Sequence, residues 1–130
     1  MRLINFTEEL RDRAEDFHRL HPKLRAVFFR AVTTVYWNHT KALLITSMFR
    51  DTGGVHRCGR GLDVDVCDKT IYEGGLLPLE AYRLTNTINS LYTYDPERPG
   101  MKVAIYGDLD PKGKHWNHIH FQVHDRTVAG

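Results

Sequence analysis

The sequence has only two cysteines and almost no net charge: 18 Lys and Arg stand against 16 Asp and Glu, giving +2 at pH 7 with histidine neutral. So small a charge is no argument for a nucleic-acid partner, and none is expected, since the basic residues are scattered, without a basic run or an RNA-binding signature. It still permits a mild preference for an anionic polymer. No apolar stretch approaches the roughly 20 residues that a membrane-crossing helix needs. The start, Met1-Arg2-Leu3-Ile4-Asn5-Phe6-Thr7-Glu8-Glu9, turns acidic before the apolar centre of a signal peptide develops. A chain made soluble in the cytoplasm is therefore expected, with no membrane partner, and a target outside would require delivery by another factor. Cys58 and Cys67 lie nine residues apart without a CxxC, which is not a zinc-finger spacing. In a reducing compartment they are expected as plain buried or half-buried thiols. Repeats, low-complexity tracts and linkers are absent too.

What is present is the composition of an ordinary globule. At 130 residues the chain forms one domain, residues 1–130, able to bury roughly two thirds of its unfolded surface. Thr7 can cap a first helix that carries Glu8 and Glu9 in its first turn and runs to about His18. Pro22 suits the first turn of a second helix, where Leu24, Val27, Phe28, Ala31, Val32, Val35 and Tyr36 recur on one wide apolar face. Leu43 to Met48 reads as a buried strand, and Leu62 to Cys67 as a second. A third helix spans Pro78 to Leu91, with Ala81, Leu84, Ile88 and Leu91 on one side. Strands are expected at Lys102 to Tyr106 and at His118 to His124. Helices first, then strands with one helix inserted, make an α+β domain: N-terminal helices packed on a small, mainly antiparallel sheet.

Two polar clusters stand out, His56-x-x-Gly59-x-Gly61-x-Asp63 and His115-x-x-His118-x-His120. Together they supply imidazoles and a carboxylate of the kinds an open zinc site uses, three protein ligands and one free position. Side chains alternate along a strand. His118, His120, Gln122 and His124 are therefore expected on one face, with Ile119, Phe121 and Val123 in the core. By the same rule Asp63 and Asp65 share a face opposite Leu62, Val64 and Val66. Adjacent strands could then aim His120 and Asp63 at one ion, with His56 arriving from the glycine-flanked loop. Gly59 and Gly61 can supply backbone angles closed to other residues.

The run Thr46-Ser47-Met48-Phe49-Arg50, continued by Gly54-Val55-His56-Arg57-Cys58-Gly59-Arg60-Gly61-Leu62-Asp63, resembles the Ser-x-His-x-x-Gly-x-Ala-x-Asp region of M15-type D-alanyl-D-alanine peptidases. Those enzymes share a fold with the hedgehog signalling domain. Ser47-Met48-Phe49-Arg50 looks like the Ser-Gly-Tyr-Arg stretch of that family. The downstream His115-x-x-His118-x-His120 more closely resembles the penicillin-insensitive murein endopeptidases of the same metallopeptidase group. The similarity covers roughly residues 43–123. It implies a hedgehog/DD-peptidase-like fold and one zinc ion held by His56, Asp63 and His120. It also implies a catalytic His118 and an Arg50 that steers a substrate carboxylate.

The implied activity is hydrolysis of peptide bonds in peptidoglycan stem peptides or cross-links, with a peptidoglycan or muropeptide substrate. L-alanyl-D-glutamate, D-alanyl-D-alanine and D-alanyl-diaminopimelate bonds all fit. The small size and the missing secretion signal fit a phage-type endolysin, and a free dipeptidase or carboxypeptidase fits as well. The chain departs from the family at three points. Gly54 replaces the leading Ser, Gly61 replaces the Ala, and Asn117 occupies the place of a Glu that serves many relatives as general base. Asn cannot take a proton, so that role falls to His118, His115 or Asp65; a neutral imidazole near pH 7 is chemically suited.

Blander roles compete. His18, His21, His39 and His124 are expected as surface or satisfied core residues, and His115 as no more than a loop residue if it is not catalytic. Asp65 is as readily solvated as functional, Arg50 could form a salt bridge, and Trp116 and Tyr106 more commonly pack than line a cleft. His118-Ile119-His120-Phe121-Gln122-Val123 also resembles the His-x-His-x-Gln signature of histidine-triad nucleotidyl transferases, which leaves His56 to Asp63 without a role. A zinc-stabilised binding module of the same fold is the non-enzymatic alternative.

Overall fold

The computed structural model describes residues 4–12, 14–39, 42–48, 58–66, 76–107 and 117–130. It is an α+β structure built on a five-stranded sheet in the order β1-β2-β3-β6-β5, with a separate two-stranded β4-β7 pair. The strands are β1 (Ile4–Phe6), β2 (Leu43–Ser47), β3 (Gly61–Asp65), β4 (Tyr92–Thr93), β5 (Ala104–Ile105), β6 (His118–Gln122) and β7 (Val128–Ala129). The helices are α1 (Glu8–Arg11), α2 (Pro22–His39) and α3 (Pro78–Leu91), with a 3-10 turn at Ala14–Arg19. In this sheet β1 and β2 run parallel, and the pairs β2–β3, β3–β6 and β5–β6 are antiparallel. Among the described residues no helix is long and apolar enough to cross a membrane.

Helices α2 and α3 form where the apolar periodicity places them. Leu24, Val27, Phe28, Ala31, Val32 and Val35 are all buried, as are Ala81, Leu84 and Ile88. Proline starts both helices, at positions whose N–H groups have no intrahelical partner in any case. The Glu80 side chain reaches back to accept the Leu77 N–H at 2.9 Å, satisfying one more orphan donor. Helix α2 packs on α3 and β6, and α3 packs on β5.

The N-terminal helix differs from expectation. Instead of one helix to His18 there is a single α-turn, then a tighter 3-10 segment. In that tighter winding, residues three apart lie on one side, and Phe17 and Leu20 go into the core together. Thr7 holds the N-cap position but makes no side-chain cap bond. Its N–H continues the β1–β2 ladder instead, donating to Ile45 O at 3.1 Å. Strand β1 was not visible in the sequence, because three residues carry no periodicity.

The C-terminal strands are shorter than their apolar runs. Only Ala104 and Ile105 of the 102–106 run join the ladder, and β6 ends at Gln122. The outer edge of β5 is closed by a side chain. Asn89 on α3 donates its Nδ2 to Ala104 O at 2.8 Å and accepts the Ala104 N–H at 2.9 Å. One amide thus satisfies both backbone groups of a buried edge residue, as a neighbouring strand would.

Candidate functional site

The site sits on the face of β3 and β6 turned away from the apolar core. In the ladder Leu62 faces Phe121 and Val64 faces Ile119, all four fully buried. The alternate pairs are Gly61 with Gln122, Asp63 with His120, and Asp65 with His118. Directly opposed residues share a face. The alternation read from the sequence therefore puts the polar side chains of both strands in one row. Ser47 of β2 stands beside Asp63, across a bulge, and Ile105 of β5 beside His120.

Two of the three expected ligands meet here. His120 Nδ1 lies 2.8 Å from Asp63 Oδ1. His118 Nε2 lies 3.9 Å from the other carboxylate oxygen, Oδ2. His118 is the most open of the three, its side chain 25% exposed against 9% for His120 and 12% for Asp63. The other ring nitrogen of His118, Nδ1, lies 2.6 Å from Asn117 Oδ1. The other ring nitrogen of His120, Nε2, lies 3.2 Å from Gln122 Oε1. Arg50, His56 and His115, together with Trp116 and Cys67, lie outside the described residues.

The donor set fits a cation. Asp63 Oδ1 and Gln122 Oε1 are both acceptors, and they flank the His120 ring on opposite nitrogens. A neutral imidazole carries one N–H and can satisfy only one of them. The other contact needs a positive charge between nitrogen and oxygen, supplied by a second ring proton or by a metal ion. Ligands about 2.0–2.2 Å from one tetrahedral zinc sit roughly 3.3–3.6 Å from each other. The 2.8 Å separation of Nδ1 and Oδ1 is a hydrogen-bond distance, and the two atoms would have to part by about half an ångström or more to share such an ion. Among the described residues no three His, Cys, Asp or Glu side chains converge closely enough to hold an ion.

Burial pushes the Asp65 carboxyl above its ordinary value. Tyr106 belongs to the core: it is 1% exposed and packs edge-on against Tyr82 at 5.0 Å. Burial raises its hydroxyl pKa as well. His18 is exposed. His21 and His124 are partnered locally, their Nδ1 atoms accepting the N–H groups of Lys23 and Arg126. Gly59 does adopt a positive φ of 68°, in the turn that leads into β3. Gly61 is a regular strand residue and contributes no side chain opposite Gln122. Cys58 corrects the expectation of a buried or half-buried thiol: it is free and exposed in that turn.

Asn117 and Gln122 are the polar groups that sequence reasoning passed over as functional. Asn117 entered only as a missing base, and Gln122 only as a member of the polar face. The available signal was spacing: one residue before His118, and two residues after His120 on the same side of the strand. No protein-family model, curated protein or solved structure matches this chain.

Proposed function

We propose that the chain is a zinc-dependent peptidase that hydrolyses peptide bonds in peptidoglycan stem peptides or cross-links, of the kind used as a phage endolysin. The observation that carries this reading is the cross-strand pairing of Asp63 with His120, ligand atoms 2.8 Å apart, with the His118 ring beside the same carboxylate. The α+β architecture with its mainly antiparallel sheet is compatible with the hedgehog/DD-peptidase arrangement that the two motifs resemble. In this reading His56, Asp63 and His120 hold the ion. Bound there, zinc would lower the pKa of a coordinated water and polarise the scissile carbonyl.

The residues of the chain supply the rest. In this reading the hydrogen sits on His118 Nδ1, 2.6 Å from Asn117 Oδ1, and the lone pair falls on Nε2, the nitrogen facing Asp63. His118 is thereby oriented to take a proton at Nε2, the role that Asn117 itself cannot fill. Arg50 is assigned to the substrate carboxylate, and His115 to a supporting catalytic position.

The deciding experiment digests purified peptidoglycan with metal-replete protein, with and without a chelator, and weighs the released fragments by mass spectrometry. Chelator-sensitive fragments are expected, and their masses name the bond. One tightly bound zinc per chain with no fragments would favour the second reading, a non-catalytic zinc-stabilised binding module. The observation in favour of that module is Asn117 at the position of the usual glutamate.

A further inference from the structure

Gln122 is 6% exposed and both ends of its amide are committed. Its Nε2 donates to Lys102 O at 2.9 Å, and a backbone carbonyl can only accept. The oxygen is therefore the end that faces His120 Nε2, at 3.2 Å. The carbonyl that sets this orientation is itself fixed by its neighbours. Gln122 N–H donates to Val103 O at 2.8 Å, and Asn89 brackets Ala104 from the other side. Turning the amide over would place its NH2 group toward His120 and its oxygen against the Lys102 carbonyl.

An amide oxygen opposite Nε2 favours the imidazole form with hydrogen on that nitrogen, and opposes the Asp63 carboxylate, which favours hydrogen on Nδ1. We propose that Gln122 is a positioning residue that accepts the His120 hydrogen at Nε2 when the ion is bound, so that Nδ1, the nitrogen beside Asp63, is the metal-binding atom. This rests on the zinc reading above and deepens it. The competing form carries the hydrogen on Nδ1, where it makes a charge-assisted bond to Asp63 Oδ1. That bond would occupy both ligand atoms at once. By drawing the hydrogen to the far nitrogen, Gln122 disfavours the Nδ1–Oδ1 contact, which competes directly with the ion. Partners of this kind behind a metal-binding histidine commonly set metal affinity by 10–100-fold.

The test compares the full chain with Gln122→Met and Gln122→Glu. Both variants lose the donor to Lys102 O, but only the glutamate keeps an acceptor for Nε2–H. Zinc affinity is measured by competition with a chromophoric chelator, thermal stability by circular dichroism, and the state of the ring by long-range ¹H–¹⁵N spectra with and without zinc. The expected result is a 10–100-fold weaker zinc affinity in Gln122→Met and a near-native or tighter one in Gln122→Glu, with both variants similarly destabilised. The spectra should show hydrogen on Nε2 and zinc on Nδ1.

Equal weakening in both variants would make Gln122 a structural residue and overturn the proposal. So would unchanged affinity in Gln122→Met, or zinc on Nε2. If the native chain binds no zinc, the metal reading fails separately. In that case an Nε2 hydrogen seen in the native chain and lost in Gln122→Met still supports the positioning role, and its absence in the native chain overturns it.

Discussion

Asp63 Oδ1 and His120 Nδ1 lie 2.8 Å apart because their α-carbons are direct partners in the β3–β6 ladder. The contact is set by backbone register, and a slip of β6 by one residue would turn His120 into the core and away from Asp63. Asp63→Asn keeps the shape and removes the charge and one ligand oxygen. The expected outcome is loss of stoichiometric zinc after dialysis and loss of chelator-sensitive peptidase activity. Metal analysis beside a far-ultraviolet spectrum checks it; an Asp63→Asn protein that keeps one zinc per chain would remove Asp63 from the ligand set.

His118 stands at the open end of the row and is assigned to proton transfer rather than to metal binding. His118→Gln should retain zinc at native stoichiometry and lose about 10²–10⁴-fold in kcat, the usual contribution of a positioned general base. Loss of zinc in this variant would instead place His118 among the ligands.

Asn89 completes the edge of β5 at Ala104, bonding both the N–H and the C=O of this fully buried residue. Asn89→Ala strands both groups, and each unsatisfied buried group costs about 1–3 kcal/mol. Urea unfolding should show a loss on the order of 2 kcal/mol or more. A loss below about 0.5 kcal/mol would mean that the edge is satisfied in another way.

Asp95 lies fully buried beside the β4–β7 pair. Burial alone would raise its pKa. The Glu97 N–H at 2.9 Å, Arg98 Nε at 2.9 Å and the nearby Arg126 guanidinium outweigh that effect and hold it below the ordinary carboxylate range. A lowered folded-state pKa means that the unfolded chain binds the proton more readily. Its stabilisation is fully present above about pH 4, the ordinary value of an unfolded aspartate, and is lost as pH falls through the lower folded value. Melting temperatures taken from pH 7 downward should fall in that acid window. Asp95→Asn should start lower and fall less steeply, whereas parallel curves would assign the acid loss to other carboxylates.

The long helices were legible because their signal is local. Eighteen residues of α2 and fourteen of α3 repeat an apolar face often enough to be read without knowing what covers it. Strand β1 and the two-stranded pair β4–β7 were not legible, since elements of two or three residues exist only by virtue of distant partners. The same limit applies to β5, whose two-residue ladder exists only against β6, while Asn89, fifteen residues earlier, closes its other side.

For the site, the sequence by itself determined which residues share a face: the two-residue period of a strand already groups His118 with His120 and Gln122, and Asp63 with Asp65. Only the tertiary structure decided which of them touch. Pairing Asp63 with His120 rather than with His118 is a matter of register between strands 57 residues apart in the chain, which no local pattern encodes. The orientation of Gln122 was beyond the sequence for the same reason. It depends on a carbonyl 20 residues away, brought alongside by the packing of β5 between β6 and α3.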